Sequence, residues 1–172
     1  PWSRQRHADL LDQLDRAGVA LVGYDVLFAD PSQDDPLGDL TLEAVAKGGA
    51  GRFVFGSTRL HPDYDPGSTL RASQAPGAFP LVHDPQDDPR VALLLPHGQS
   101  MARFSAIANV TRGEDGVLRD IPLREAVGDW ALPSLPLRLA TSALPGASPQ
   151  TTAAVRPNWR QHSRLPRVSA AD

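Results

Sequence analysis

The acids that could do chemistry in this chain gather around one apolar run. In "ALVGYDVLF", residues 20–28, Asp25 interrupts a near-continuous hydrophobic stretch, and Asp30 and Asp39 follow it. An ionised carboxylate left alone in an apolar layer is costly, so Asp25 is expected to find a partner or to reach the edge of its strand. Arg119 offers the first candidate partner, a bidentate guanidinium fork, with Arg4 and Arg6 as rivals. An internal ion pair that fixes strand register is the leading reading, because buried acids are mostly satisfied internally. A ligand contact stands beside it, because open α/β sheets bind ligands near the carboxyl ends of their strands. Asp115 carries a similar double meaning. With Gly116 it supplies the positive φ angles of a tight hairpin turn, and ligand contact is the lesser alternative. Arg119, on the alternation opposite to Leu118, is expected to point inward towards an acid.

Catalytic signatures are missing around these residues. A phosphotransferase of the haloacid dehalogenase type needs Asp-x-Asp after its first strand, whereas Asp25 is followed by Val26, Leu27 and Phe28. His7, His61, His83, His97 and His162 form no pair at i, i+2 or i, i+4, so no preassembled metal-binding helix or strand is present. "HPDYDPGS", residues 61–68, sets Asp63 and Asp65 near carbonyls but lacks the spacing and terminal Glu of a calcium loop, and reads as a solvated loop. Ser57 and Ser134 lack the glycines of a nucleophile elbow, and no glycine loop is built to cradle phosphate. Catalytic residues, metal ligands and cofactors are therefore not assigned. The alternative kept open is a small metal-dependent α/β hydrolase or phosphatase in which Asp25, Asp30 and Asp39 gather a metal.

The elements that must position these residues follow from periodicity. Ala8, Leu11, Leu14 and Ala17 at helical spacing predict an amphipathic helix, with Ser3 as N-cap and Gly18 as its stop. It leads into "VALVGYDVLF", which reads as a strand covered on both faces. "LTLEAVAKGG" predicts a second helix with Asp39 as N-cap, and "RFVFGS", residues 52–57, a second buried strand. Strand, helix, strand is a βαβ unit with parallel strands. Residues 59–90, rich in Pro, Asp, Gly and Ser, read as a long variable loop, and "VALLLP" as a strand after it. The alternating segments on either side of "RGEDG" predict a β-hairpin near 104–123. Leu135, Leu139 and Ala143 predict a covering helix despite Pro136. The expected fold is α/β, a mixed and partly parallel sheet with helices on both faces, forming a single domain over residues 1–172.

Composition sets the bounds. The chain has 172 residues, 41% of them hydrophobic, and a formal net charge of -3, enough for one self-sufficient core without disulfide or metal. Seventeen basic and twenty acidic residues are scattered, which leaves no electrostatic footprint for nucleic acid. Lys47 is the single lysine; the rest of the positive charge is arginine. The absence of cysteine excludes thiolate sites. No window reaches the ~18 apolar residues of a membrane span. The chain begins at Pro1 without methionine or a signal-like segment and reads as a piece of something larger.

Taken in order, the Leu-Leu helix, the strand with Gly, an aromatic residue and Asp25, the Asp-Leu helix start, "EDGVLRDIPL" and "LPSLPLRLA" resemble the second type of CHASE domain, the cyclase/histidine-kinase-associated sensory extracellular domain. The resemblance covers roughly Arg4 to Ser57 and Phe104 to Ala140, and the tail "RPNWRQHSRLPRVSAAD" is similar to that family's closing segment. It implies a sensory module on the periplasmic or extracellular side of the bacterial cytoplasmic membrane, flanked by transmembrane helices of the same chain. It further implies coupling to a histidine kinase, nucleotide cyclase or other output domain. The expected partners are a small-molecule or periplasmic ligand and a second copy in a homodimer, with Asp25, Arg119, Asp115, Asp39 and Arg4 as ligand-binding or ion-pair residues. Both chain ends are expected on one face.

Overall fold

The computed structural model describes residues 2–49, 51–110, 115, 120–144 and 153–156. Helix α1 (Arg4–Arg16) is followed by strand β1 (Val22–Tyr24), helix α2 (Pro36–Gly48) and strand β2 (Phe53–Arg59). Ser3 caps α1, its hydroxyl accepting from Arg6 N–H, as the periodicity requires. Helix α2 starts earlier than expected. Pro36 occupies the first turn and Asp35, not Asp39, is the N-cap, accepting from Gly38 N–H at 3.0 Å. The other Asp35 oxygen accepts from Gln5 N–H at 2.9 Å, so one carboxylate ties the starts of both helices together.

The central sheet is built on β2. Val22–Tyr24 run parallel to Phe53–Phe55 on one side, and β5 (Ser105–Ile107) runs parallel to Phe55–Ser57. At its far end β2 pairs antiparallel with β4 (Leu93–Leu94), through Thr58 and Arg59. Alternation along β2 separates two cores. Phe53 and Phe55, with Tyr24 and Phe28, pack against Ala8, Leu11, Leu42 and Ala46 of α1 and α2 and against Met101 of α3 (Gln99–Arg103). Val54 and Ala106 pack on the opposite side against Leu135 and Leu139 of α4 (Leu135–Ala143). The sheet is mixed and partly parallel with helices on both faces, as the sequence implies.

A second sheet joins β3 (Phe79–Pro80), β8 (Trp130–Pro133) and β7 (Arg124–Val127) in antiparallel order, and β6 (Ile121–Pro122) pairs with β9 (Ala154–Val155). A third core of Ala75, Val91, Ile107 and Leu132 fills the space between this sheet and the first. Of the segment read as a 104–123 hairpin, residues 111–114 and 116–119, the apex at Gly116 included, lie outside the described residues; at its flanks β5 pairs with β2 and β6 with β9. The stretch read as a long loop, 59–90, contains two short 3-10 helices, Pro62–Gly67 and Ala72–Gln74, and strand β3.

Candidate functional site

At the carboxyl ends of β1 and β5, two adjoining hollows of about 200 and 140 Å³ share Ile107, Asn109, Pro122 and Ser134 as common walls. Parallel strands leave their last carbonyls and the loops that follow them at such an edge, where ligands of open α/β sheets characteristically sit. Arg124, Glu125 and Leu132 complete one end of the cleft; Asp25, Val110 and Leu135 complete the other. Ser134 caps α4: its Oγ accepts from Leu137 N–H at 3.4 Å, which leaves the hydroxyl proton free to donate into the cleft. Nη1 of Arg124 is buried and has no hydrogen-bond partner among the described residues.

Behind this wall lies a buried ionic network. The Arg59 side chain is 6% exposed. Its Nη1 and Nη2 each donate to one oxygen of Asp65 at 2.7 Å, and Nε donates to Glu125 at 2.9 Å. Carbonyls of Leu60 and Ala92 accept the remaining Nη1 contacts, and Asp65 also accepts from Ala92 N–H at 2.7 Å. Burial opposes the charge on Arg59, but the hydrogen bonds to Asp65 and Glu125 outweigh it and raise its pKa. The same bond from Arg59 holds the Asp65 carboxyl below the usual carboxylate range. A guanidinium so fully satisfied fixes the second sheet, through Glu125, to the end of β2. The 61–68 segment is accordingly more than a solvated loop: it delivers the acid that neutralises Arg59.

The residues singled out from sequence are distributed differently from expectation. Strand β1 ends at Tyr24, so Asp25 is not inside a doubly covered strand; it is exposed just beyond the strand's end, and Val26 and Leu27 after it are 36% and 37% exposed. No burial penalty then demands a partner, and no arginine pairs with Asp25 among the described residues. Its carboxylate instead overlies Gly56, where an added Cβ would lie 3.2 Å from Oδ1. Arg119 lies outside the described residues, and with it the proposed Asp25–Arg119 pair; Asp115 is exposed. Arg4 and Asp39 do meet, Nε to Oδ1 at 2.9 Å, with Arg4 also donating to the Asp30 carbonyl at 2.8 Å and lying 4.4 Å over the Phe28 ring. That pair locks α1 to the first turn of α2, away from the cleft residues. Asp39 is thereby occupied, and among the described residues no three His, Asp or Glu side chains are placed to hold a metal.

A family model described as the CHASE2 domain matches residues 1–172, the whole chain. The chain belongs to the CHASE2 family. CHASE2 domains are extracellular sensory domains of signalling proteins, and the family is sensory rather than catalytic. Neither the curated proteins nor the solved structures contain a match. Among the described residues of this CHASE2 domain no helix is long and apolar enough to cross a membrane.

Sequence reasoning missed Arg59, Asn109, Arg124 and Glu125. One signal was available for Arg59: an arginine directly after "FVFGST" must either leave the sheet or be neutralised inside it. Asn109 and Glu125 had no comparable mark, because their roles depend on contacts 50 and 66 residues away in sequence.

Proposed function

We propose that this CHASE2 domain is the periplasmic, ligand-binding receiver of a bacterial transmembrane signalling protein whose output is a histidine kinase, a nucleotide cyclase or a similar domain. The ligand is a small molecule taken into the cleft at the carboxyl ends of β1 and β5. The remaining partners are the flanking transmembrane helices of the same chain and a second copy of it. The supporting observation is the make-up of the cleft. Ile107 ends strand β5 of the central sheet and Asn109 lies just beyond it, whereas Pro122 belongs to β6, which is backbone-paired with β9, the strand nearest the carboxyl terminus among the described residues. A ligand that closes the cleft would move β6 relative to β5 and carry β9 with it. The shift in output then equals the ligand's differential affinity for the two arrangements. Pro1 and Asp172, whose placement on one face the sequence suggests, lie outside the described residues.

A screen of small organic acids, amines and sugars against the isotope-labelled domain tests this. A ligand at this site shifts the amides of Ile107 and Asn109 together with those of Ala154 and Val155, and alters the output of the full-length protein. Ligands that bind while leaving β9 unmoved would remove the proposed relay; a screen yielding none at this cleft would remove the receiver role.

A further inference from the structure

Arg138 differs from Arg59 in the one respect that matters for a buried guanidinium. It is half-buried on α4, yet its side chain has no ion pair and no hydrogen bond among the described residues. Its charged end is seated against Gly77, whose φ of +71° and lack of a Cβ make room for it; an added Cβ there would collide with the guanidinium. Beside it opens a hollow of about 460 Å³ that is separate from the cleft and shares no lining residue with it. Arg103, the last residue of α3, lines the same hollow, exposed, with its Cζ 5.6 Å from the Phe104 ring centroid. Gln74 lines it as well; its Oε1 is taken by Arg71 N–H at 3.2 Å, so its amide protons remain as donors. Neither Asp nor Glu is among the described lining residues.

We propose that the Arg103–Arg138 hollow binds a small multivalent oxyanion of the phosphate or polycarboxylate class. Two guanidinium forks and an amide N–H₂ give donors only, which suits a ligand composed of acceptor oxygens. Arg59 shows how the fold treats an arginine whose role is internal: two carboxylates and two carbonyls surround it. Arg138 has been given the burial without the counter-charge, and burial alone pulls its pKa down. An oxyanion supplies what is missing. The hollow sits beside the amino-terminal end of β5 and the cleft lies at the carboxyl end, so the two sites are independent.

The test is titration of the domain with sodium phosphate and with citrate at matched ionic strength, using chloride as control, followed by calorimetry and by amide shifts. Vesicles of phosphatidylcholine with and without phosphatidylglycerol distinguish a lipid headgroup from a free anion as the source. Saturable binding is expected, weakened about tenfold or more by Arg138→Gln, less by Arg138→Lys, and with the Ile107 and Asn109 amides unmoved. Should Arg138→Gln fail to fold, the exposed Arg103→Gln decides by the same loss of affinity. Absence of saturable binding to phosphate, citrate and anionic vesicles alike would overturn the proposal, as would affinities unchanged in Arg138→Gln and Arg103→Gln.

Discussion

Asn109 holds Arg59 by both of its backbone groups: Oδ1 accepts the Arg59 N–H at 2.7 Å, and Nδ2 donates to the Arg59 carbonyl at 3.0 Å. Strand β5 has already ended at Ile107, so the side-chain amide takes the place of one further residue of parallel strand. This extension keeps the last residue of β2 in register at the point where its side chain enters the ionic network. Asn109→Ala removes both bonds and is expected to destabilise the domain by about 1–2 kcal/mol, in line with roughly 0.5–1.5 kcal/mol net for each hydrogen bond. Asn109→Asp keeps the acceptor and loses the donor, so it should fall between. Chemical denaturation of the three proteins checks the order.

The Arg59 network should govern behaviour in acid. Asp65 has its pKa lowered below 3.8 in the folded state, chiefly by the bond from Arg59. Its contribution is therefore complete above the unfolded value and is lost as pH falls through the folded value. Asp65→Asn should be less stable at neutral pH and show a flatter loss of stability between about pH 4 and 2. Glu125→Gln is expected to cost less than Asp65→Asn, because Glu125 is 41% exposed against 20% for Asp65 and makes one bond to Arg59 rather than two. Arg59→Met leaves both acids without their cation, Asp65 keeping only the bond from Ala92 N–H, and should cost more than either, up to about 3–5 kcal/mol. Equal effects from Asp65→Asn and Glu125→Gln would contradict the bidentate geometry.

His7 predicts a second pH dependence nearer neutrality. Its ring packs edge-on to Phe28 with centroids 5.0 Å apart, and its Nδ1 is hydrogen-bonded to the Tyr24 hydroxyl at 2.6 Å. Burial, and then the nearby positive charge of Arg4, lower the His7 pKa from 6.5. The unfolded chain therefore binds a proton before the folded one does, and stability declines as pH drops from about 6.5 towards the folded value. His7→Leu should flatten the stability curve in that window. Tyr24→Phe, which keeps the ring and deletes the bond, should cost about 0.5–1.5 kcal/mol at pH 8. Denaturation midpoints measured from pH 8 to 5 check both.

The layer order was legible because it rests on local pattern. Ala8, Leu11 and Leu14 mark one face of α1, and the apolar residues of "RFVFGS" leave a strand with both faces covered. Boundaries were less legible. Asp35 rather than Asp39 caps α2 because Pro36 at the first helical position favours starting there, while Asp39 turns towards Arg4. Asp25 was misplaced for a related reason: an apolar run does not reveal where backbone pairing stops, and here it stops one residue before the acid. Asp25, read as lying near a strand's carboxyl end, does border the cleft, but the other walls escaped: they are drawn from β5, β6, β7, β8 and α4, and periodicity within one segment carries no information about which distant segment it will face.

Close packing between β1 and α4 supplies a last prediction. Gly23 lies in the middle of β1, and a Cβ added to it would meet Leu139 Cδ1 at 2.6 Å. Leu139 is a flexible side chain on α4, the helix whose N-cap, Ser134, borders the cleft. In Gly23→Ala the leucine must change rotamer or the helix must lift, and overpacking of this kind costs about 1–3 kcal/mol. Reduced freedom of the unfolded chain returns about 0.4–1 kcal/mol, so the net loss should lie between about 0 and 2.6 kcal/mol. Leu139→Ala alone leaves a void on the Val54 and Ala106 face and should also destabilise. Combined, the two changes relieve one another, with a coupling of about 0.5 kcal/mol or more in the stabilising direction. A double-mutant cycle by denaturation measures it; strict additivity would mean that α4 does not rest on Gly23.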